Sequence, residues 1–375
     1  MLRKLSINNF KCFSNETVFD FRKTNYKFLE KNTFGKVLKG ALFVGEHASG
    51  KTTILQSVKL LLELLFRECT CDLASYQCLF SKEKVSRLLY EFDIDGHELV
   101  YSFAFSGNSF VEENLMVDNQ TVIGRLGKKS KWIDGKKTIL CDVEDSALFL
   151  RQVSVKSEFS DHDILGRWLD YLKNSVYIDT YSRRISAFDG EGLSAEKYVE
   201  KHGTEKINDF LTEYQLHFLI QYGQTDTKTE GDSESEGEKR LFFRQEGRDA
   251  LIPLCMESSG IRTLINMLPA FFWIANRGGM LMIDQFGVGL HNRVEELLVR
   301  YMMEKETAAQ LFLTSHSTNL LSNSLLRPDQ IFAVERAGEQ EIGPHRFSDE
   351  QPRVAQNLEK MYLSGVFGGL PSYKI

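Results

Sequence analysis

A glycine-rich segment carries the residue types needed to bind a phosphate group. It reads Gly45-Glu46-His47-Ala48-Ser49-Gly50-Lys51-Thr52 and matches the pattern GxxxxGK[ST]. The glycines of such a loop let backbone N–H groups point inward at a phosphate, and the following helix adds the positive end of its dipole. In this pattern Lys51 reaches the β- and γ-phosphates of a nucleotide, and the Thr52 hydroxyl binds Mg²⁺. The segment therefore predicts a site for a nucleoside triphosphate and Mg²⁺.

The sequence on either side of this segment supplies the context that the pattern requires. Residues 41–44 are apolar and predict a strand, and residues 52–66 predict a helix. A second apolar run, residues 280–283, is followed by Asp284 and Gln285. A strand that ends there would place the carboxylate of Asp284 beside the glycine-rich loop, where it holds Mg²⁺ through water.

Two further segments contain residues suited to phosphate contacts. Glu257-Ser258-Ser259-Gly260-Ile261-Arg262 opens a predicted helix, and serine hydroxyls with a glycine at a helix N-terminus form an anion site. An ordinary helix cap explains these residues equally well. Thr314-Ser315-His316-Ser317 follows an apolar strand, so His316 could contact a γ-phosphate and the attacking water. A structural histidine is the alternative interpretation.

The hydrophobic pattern indicates which elements position these residues. Strands are predicted at residues 2–10, 41–44, 88–94, 99–105 and 111–117, and helical spacing appears at residues 164–172 and 194–216. From about residue 250 helices and strands alternate, which is typical of a parallel sheet with crossover helices. The predicted fold class is α/β. We expect three segments: residues 1–150 with the glycine-rich loop and a β-rich part, a helical insertion with an acidic hairpin at 151–249, and residues 250–375.

The hairpin prediction depends on one acidic stretch. Residues 225–239 read TDTKTEGDSESEGEK and lack aromatic residues, so they cannot bury enough apolar surface to fold alone. They lie between two apolar runs that resemble strands, FLIQYG and RLFFRQ. We therefore expect a mobile hairpin tip at this position.

Composition and charge restrict the classes of protein. Hydrophobic residues make up 42% and charged residues 26% of the chain, which excludes global disorder. The longest apolar stretch, residues 264–275, is too short to span a bilayer, and the N-terminal residues lack the apolar run of a signal peptide. We therefore expect a cytoplasmic protein without a membrane association.

Nucleic-acid binding is possible but is not favoured by the overall charge. The net charge of −6 provides no general attraction to nucleic acid. The local candidates for phosphate contacts are Lys128, Lys129, Lys131, Lys136 and Lys137. A solvated basic loop explains this cluster equally well.

The motifs, taken in their order along the chain, resemble those of the ABC-type ATPase heads of the SMC, RecN, RecF and OLD superfamily. GEHASGKT, ESSGIR, LMIDQFGVGLH and TSHS are similar to the Walker A, signature, Walker B with D-loop, and switch-histidine motifs, and LSINNFKCF is similar to the first strand. The tail segments SHSTNLL, RPDQIFAVER and NLEKMYLSGVFGGLP resemble compact bacterial phage-defence ATPases of the RloA and abortive-infection type. The resemblance implies a P-loop head with a mixed N-terminal β lobe, a parallel-sheet lobe and a helical insertion.

The resemblance also assigns roles to residues. It implies ATP and Mg²⁺ as cofactors, and Thr52 and Asp284 as the residues that hold Mg²⁺. The positions expected to be catalytic are Gln285 and His316. The residues expected to bind the nucleotide are Lys11, Gly45, Ser49, Gly50, Lys51, Thr52, Thr53, Ser258, Ser259 and Gly260. The glutamine of the family's Q-loop is not assignable, with Gln120 and Gln152 as the two candidates.

Gln285 departs from the family pattern. The family has glutamate at this position, where it polarises the attacking water. An amide hydrogen-bonds water but cannot accept its proton, so we expect hydrolysis to fall by about 10²–10⁴-fold while ATP binding survives. Two explanations remain open: a glutamate-to-glutamine change introduced to trap the bound state, or a natural switch that hydrolyses ATP slowly.

The resemblance predicts a homodimer that forms through ATP. Ser258 and Gly260 of each copy would act on the nucleotide held by the other copy, in a two-fold arrangement. We expect such a protein to control or assemble a nuclease or toxin effector encoded nearby, in antiphage defence. The alternative is a RecF-like DNA-repair ATPase that acts directly on DNA. A nuclease activity of the chain itself is disfavoured because no Toprim or HNH signature follows the ATPase motifs.

Overall fold

The computed structural model describes residues 1–68, 71–134, 137–156, 163–190, 192–224, 239–337 and 341–370. The strands within these residues are β1 (Leu2–Asn8), β2 (Thr17–Asp20), β3 (Thr33–Phe34), β4 (Val37–Leu38), β5 (Gly40–Val44), β6 (Ser86–Ile94), β7 (His97–Ser106), β8 (Ser109–Val117), β9 (Gln120–Leu126), β10 (Lys129–Asp134), β11 (Lys137–Asp142), β12 (Val176–Asp179), β13 (Arg184–Ala187), β14 (Phe218–Gln224), β15 (Lys239–Gln245), β16 (Leu251–Pro253), β17 (Gly279–Asp284), β18 (Ala309–Thr314), β19 (Ile331–Ala337) and β20 (Glu341–Arg346). The helices are α1 (Lys51–Phe66), α2 (Phe149–Lys156), α3 (Ile164–Lys173), α4 (Ala195–His202), α5 (Glu205–Glu213), α6 (Ser259–Arg277), α7 (Asn292–Met303) and α8 (Leu358–Leu363).

Two large sheets form the framework of the fold. The first is antiparallel, with the order β11-β10-β9-β8-β7-β6-β1-β2. The second has the order β13-β12-β17-β18-β5-β19-β20, and its five inner strands run parallel. The apolar runs at residues 2–10, 88–94, 99–105 and 111–117 are confirmed as strands of the first sheet. The prediction of a parallel sheet beyond residue 250 is confirmed as well.

The parallel sheet is buried on both faces. Met280 and Met282 of β17 belong to the hydrophobic cluster that includes α1 and the antiparallel sheet. Leu281 and Ile283, which alternate with them, belong to the cluster that includes α6 and α7. Successive side chains of a strand point to opposite faces, so each strand contributes to two cores at once. This explains the unbroken apolar run at residues 280–283 of β17, which ends at Asp284.

Residues 151–249 contain more strand than the expected helical insertion. β12 joins the parallel sheet beside β17, and β13 pairs with β12 at the sheet edge. The helical stretch expected at residues 194–216 is two helices, α4 and α5, because the chain turns at Gly203, whose φ is 76°. The segment boundaries near residues 150 and 249 remain a prediction.

The two runs around the acidic stretch pair as expected. β14 and β15 are antiparallel, with Phe218 opposite Gln245 and Gln224 opposite Lys239, and β16 adds a third strand. The predicted hairpin tip lies outside the described residues, apart from Lys239 at the start of β15.

The lysine cluster is only partly in a loop: the exposed Lys128 lies in the turn between β9 and β10. Lys129 and Lys131 lie on β10, and Lys137 begins β11, at the edge of the antiparallel sheet. Lys129 and Lys131 are exposed, and because they are two residues apart they share one face of the strand. Lys136 lies outside the described residues.

Among the helices of the described ranges, none has both the length and the apolar character required to cross a membrane.

Candidate nucleotide-binding site

The glycine-rich loop connects β5 to α1 at the carboxyl edge of the parallel sheet. Gly45 begins the loop with a φ of 146°, in the region that favours glycine. A Cβ atom at Gly45 would lie 2.2 Å from the carbonyl oxygen of Val334 on the neighbouring strand β19. Only glycine therefore fits at this position. The loop ends at Gly50, the N-cap of α1, so the dipole of α1 is directed at the loop.

The Lys51 side chain folds back over the loop. Its Nζ donates hydrogen bonds to the carbonyl oxygens of Gly45 at 2.9 Å and Glu46 at 2.6 Å. Burial lowers the pKa of Lys51 to about 8, although the negative charges of Asp284 and Glu46 act in the opposite direction. A bound phosphate would supply the negative charge that favours the ammonium form. The lysine thus lies where the sequence pattern requires it.

Thr52 and Asp284 meet at the mouth of the loop. The Thr52 hydroxyl donates to Asp284 Oδ1 at 2.9 Å, and Thr314 Oγ1 donates to the same oxygen at 2.6 Å. Asp284 is 5% exposed. A carboxylate and a hydroxyl in contact are the hard oxygen ligands that Mg²⁺ prefers, so these residues fit the ion predicted from the sequence. The contact arises because β17 and β5 both flank β18 in the parallel sheet.

Tyr177 is a residue of this site that the sequence did not indicate. It lies on β12, next to β17, and its hydroxyl lies near the Asp284 carboxylate. Burial raises the pKa of Tyr177, and the charge of Asp284 raises it further, so the hydroxyl keeps its proton. The Lys59 ammonium lies 4.9 Å from the centre of the Tyr177 ring and fixes the ring from the side of α1. The four-residue strand β12 gave no periodic signal that could have revealed this contact.

Tyr177→Phe is expected to weaken the magnesium dependence of nucleotide binding. The substitution keeps the ring but removes the hydroxyl near Asp284, and loss of such outer contacts costs about 10–100-fold in metal affinity. We expect the Mg²⁺ concentration for half-maximal ATP binding to rise by about tenfold. Titration of Mg²⁺ at fixed ATP measures this shift. Tyr101→Phe is the matched control, because the buried Tyr101 hydroxyl contacts Glu113 in the antiparallel sheet instead. An unchanged titration midpoint in Tyr177→Phe would contradict the role.

A cavity of about 350 Å³ opens over the loop. Its lining residues are Cys12, His47, Ala48, Ser49, Gly50, Lys51, Thr52, Thr53, Gln285, Thr314, Ser315 and His316. The structure therefore brings Ser49, Gly50, Lys51, Thr52 and Thr53 together with both positions expected to be catalytic. The volume and the polar lining suit the phosphate part of a nucleotide.

Gln285 and His316 face the cavity from the ends of two adjacent strands. Gln285 has a left-handed backbone, with φ at 57°, and its N–H donates to Thr314 Oγ1 at 2.8 Å. The His316 ring lies against His47, with 4.4 Å between the ring centres. Burial lowers the pKa of His316, and the charge of Lys51 and the nearby His47 lower it further. The imidazole is therefore mainly neutral at neutral pH and can both donate and accept a hydrogen bond.

Lys11 lies behind the cavity rather than in its lining. Its Nζ donates to Gln56 Oε1 at 2.6 Å on α1 and lies 4.8 Å from the centre of the Tyr76 ring. The neighbouring Cys12 lines the cavity, and its Sγ donates to Thr53 Oγ1 at 3.4 Å. The structure thus places Lys11 one residue away from the predicted nucleotide contact. Neither Q-loop candidate lines the cavity.

The signature residues lie apart from this cavity. Ser258 is the N-cap of α6, where its Oγ accepts a hydrogen bond from the Ile261 N–H at 3.4 Å. Ser258, Ser259 and Gly260 are absent from the lining of the Lys51 cavity. Gly260 instead packs against the turn after β17, where a Cβ atom would lie 2.4 Å from the carbonyl oxygen of Gly289. Within one chain, the structure does not bring the signature residues to the glycine-rich loop.

Comparison with known families identifies the chain. The family described as "AAA domain, putative AbiEii toxin, Type IV TA system" matches residues 41–322. The chain belongs to this AbiEii-type AAA family. The matched region includes the glycine-rich loop, the signature residues, Asp284 and His316. Membership of an AAA family indicates a nucleotide-binding ATPase. No curated protein sequence matches this AbiEii-type chain.

Solved structures of SMC heads are similar in fold to the AbiEii-type chain. An SMC head bound to the C-winged helix domain of ScpA has a TM-score of 0.53 and 11% identity, and the match covers 93% of this chain and 99% of that one. The SMC head domain from Thermotoga maritima has a TM-score of 0.49 and 11% identity, and the match covers 92% of this chain and 97% of that one. The third structure is an SMC head with an extended coiled coil, bound to the C-terminal domain of ScpA from Pyrococcus furiosus. It has a TM-score of 0.49 and 13% identity, and the match covers 93% of this chain and 97% of that one. The first of these likenesses shows the fold predicted from the motifs, that of an SMC- and RecF-like head.

Proposed function

We propose that the chain binds ATP and Mg²⁺ and pairs with a second copy of itself around two nucleotides. One observation carries this proposal: Lys51, Thr52, Gln285 and His316 line one cavity, and Thr52 contacts Asp284, while the signature residues do not line that cavity. A site that needs Ser258 must then receive it from another chain. The two-fold arrangement satisfies this requirement for both sites at once.

Each residue has a defined task in the proposed site. Lys51 and the loop N–H groups bind the β- and γ-phosphates, and Thr52 and Asp284 hold Mg²⁺, which neutralises phosphate charge. His316 contacts the γ-phosphate as a neutral imidazole. Gln285 orients the attacking water, but its amide cannot take the proton, so ATP is bound and is turned over slowly. Ser258, Ser259 and Gly260 complete the site of the second copy.

The dimer is expected to form only with ATP and Mg²⁺ present. Size-exclusion chromatography with light scattering should show a monomer without nucleotide and a dimer of twice the mass with it. Ser258→Arg should abolish this dimer while leaving ATP binding intact, because a bulky cation replaces a small hydroxyl at the predicted interface. Ser109→Arg, at an exposed serine of the antiparallel sheet, is the matched control and should still dimerise. A strict monomer at high protein and ATP–Mg²⁺ concentrations would contradict the proposal.

We further propose that the dimer controls or assembles a nuclease or toxin effector in antiphage defence. The family's description as a putative AbiEii toxin supports a toxin-related role. Assembly around ATP would supply two states, and an effector that binds one of them would be switched by nucleotide release. Purification of the chain together with the products of its neighbouring genes, followed by mass spectrometry, tests this role. If no product of a neighbouring gene co-purifies in a fixed ratio, either with or without ATP, the proposed control of an effector would be contradicted.

A RecF-like role in DNA repair is the second candidate. The exposed Lys129 and Lys131 on one face of β10 favour it, whereas the net charge of −6 opposes it. If the chain acts on DNA directly, binding should weaken steeply with salt, because phosphate contacts release counterions. Replacing Lys128 and Lys129 with glutamine should then reduce affinity for DNA about tenfold at low salt and flatten the salt dependence. Equal binding by this variant and the unmodified chain would exclude the role for the cluster.

A further inference from the structure

A second polar cavity lies near the start of α6. Its volume is about 370 Å³, and its walls are β15, the end of β16 with the two residues after it, the turn between β12 and β13, the start of α4 and the first two turns of α6. Its charged lining residues are Arg183, Glu196, Lys239, Arg240 and Arg262. Four of these five are cationic, although the whole chain carries a net charge of −6. This cavity shares no lining residue with the Lys51 cavity.

Arg262 is the most informative residue of this cavity. Its Nε is buried and has no hydrogen-bond partner among the described residues. A buried guanidinium N–H without an acceptor costs free energy, so native proteins rarely retain one. Asn266, one turn further along α6, donates to the Arg262 carbonyl at 3.0 Å and also lines the cavity. The backbone is therefore satisfied, and the side chain is the part that requires an anionic acceptor.

We propose that this cavity binds the phosphate groups of a phosphate-bearing ligand. Guanidinium groups match the oxygens of a phosphate in pairs, and each hydrogen bond is strengthened by the charges of both partners. Three further cations, Arg183, Lys239 and Arg262, face the single carboxylate Glu196, which suits a ligand with several negative charges rather than one. A chain of linked phosphates, or successive phosphates of a nucleic acid, supplies both the charges and the spacing.

The cavity adjoins the start of α6, which carries the signature residues. The Arg262 N–H donates to the Ser258 carbonyl at 3.1 Å in the first turn of α6, so one helical turn separates the cavity from the signature residues. A ligand here would contact the same rigid helix end that is proposed to contact the second nucleotide. Binding of phosphate at this cavity does not depend on dimer formation and can be measured separately.

Calorimetric titration tests the site in the full-length chain. The Lys51 cavity is first saturated with ADP and Mg²⁺, so that any further phosphate binding reports a second site. One arm uses tripolyphosphate, and the other uses a short DNA duplex at low salt. Arg183→Gln with Lys239→Gln removes two exposed cations from the cavity, and we expect at least a tenfold loss of affinity. Lys82→Gln with Lys84→Gln removes two exposed lysines elsewhere and serves as the charge-matched control.

The outcomes separate the source of the phosphate. Binding of tripolyphosphate alone supports a small ligand, and binding of the duplex supports a nucleic acid, provided that the cavity variant loses it and the control does not. Arg262→Lys, which keeps the charge but removes Nε, should also weaken binding by about tenfold. The proposal is overturned if neither probe binds. It is also overturned if the cavity variant and the control lose affinity equally. The Lys51 site is saturated throughout, so these results do not depend on the proposed ATP dimer.

Discussion

Gln285→Glu is expected to raise the rate of ATP hydrolysis by about 10²–10⁴-fold. Gln285 lies in the cavity that contains Lys51 and His316, and its backbone is held by Thr314. The amide and the carboxylate have the same shape, so the substitution changes only the ability to accept a proton from water. A general base at this position contributes a factor of this size in other enzymes. Phosphate release at saturating ATP measures the change.

A second substitution at position 285 serves as the control for this prediction. Gln285→Ala removes the side chain without adding a base, so hydrolysis should be no faster than in the present sequence. The Glu variant should also shorten the lifetime of the ATP-dependent dimer, because turnover removes the ligand that joins the two copies. A rate unchanged within threefold in Gln285→Glu would mean that the water is activated by another group.

Lys51→Ala is expected to reduce ATP affinity by about 100-fold or more, measured by calorimetry. Each hydrogen bond between an ammonium and a charged acceptor contributes about 1.5–3 kcal/mol, and Lys51 can form one with each of two phosphates. The folded chain should not lose stability. The pKa of Lys51 is about 8, below its ordinary value of 10.5, so burial disfavours the charged lysine in the free protein. The melting temperature without ATP should therefore stay the same or rise.

Lys39 provides a matched control for the lysine substitution. It is also a buried lysine, adjoining the opposite end of β5, and its Nζ donates to the Met303 carbonyl at 3.0 Å beyond the reach of the loop. Lys39→Ala should leave ATP affinity unchanged. If both substitutions reduced ATP affinity equally, the Lys51 effect would be a general consequence of losing a buried lysine.

The parts of the fold that the sequence predicted share one property. Their signals are local: an unbroken apolar run before Asp284, or glycines at fixed spacing before Lys51. In a parallel sheet such runs end at the same edge, so the closeness of Asp284 and Thr52 could be inferred before any contact was known. The head fold is shown by the comparison with solved structures. The roles of the individual site residues remain predictions.

The parts that were missed depend on distant contacts. Tyr177 reaches Asp284 because β12 pairs with β17, more than a hundred residues later in the chain, and a four-residue strand carries no periodic signal. The lysines of β10 were equally compatible with a loop, since exposed polar strands lack an apolar face. Gly203 was visible in the sequence, but helical spacing on both sides concealed the break between α4 and α5.

The close packing of Gly260 against the Gly289 carbonyl has a mechanical consequence. No side chain cushions this contact, so the start of α6 and the turn that leaves β17 must shift as one piece. That turn begins at Asp284 and Gln285, beside the chain's own cavity, whereas α6 begins at the residues that are proposed to act on the nucleotide of a second copy. In the proposed dimer, a structural change around one nucleotide would therefore displace the residues that contact the other nucleotide. The two sites should then hydrolyse ATP cooperatively rather than independently.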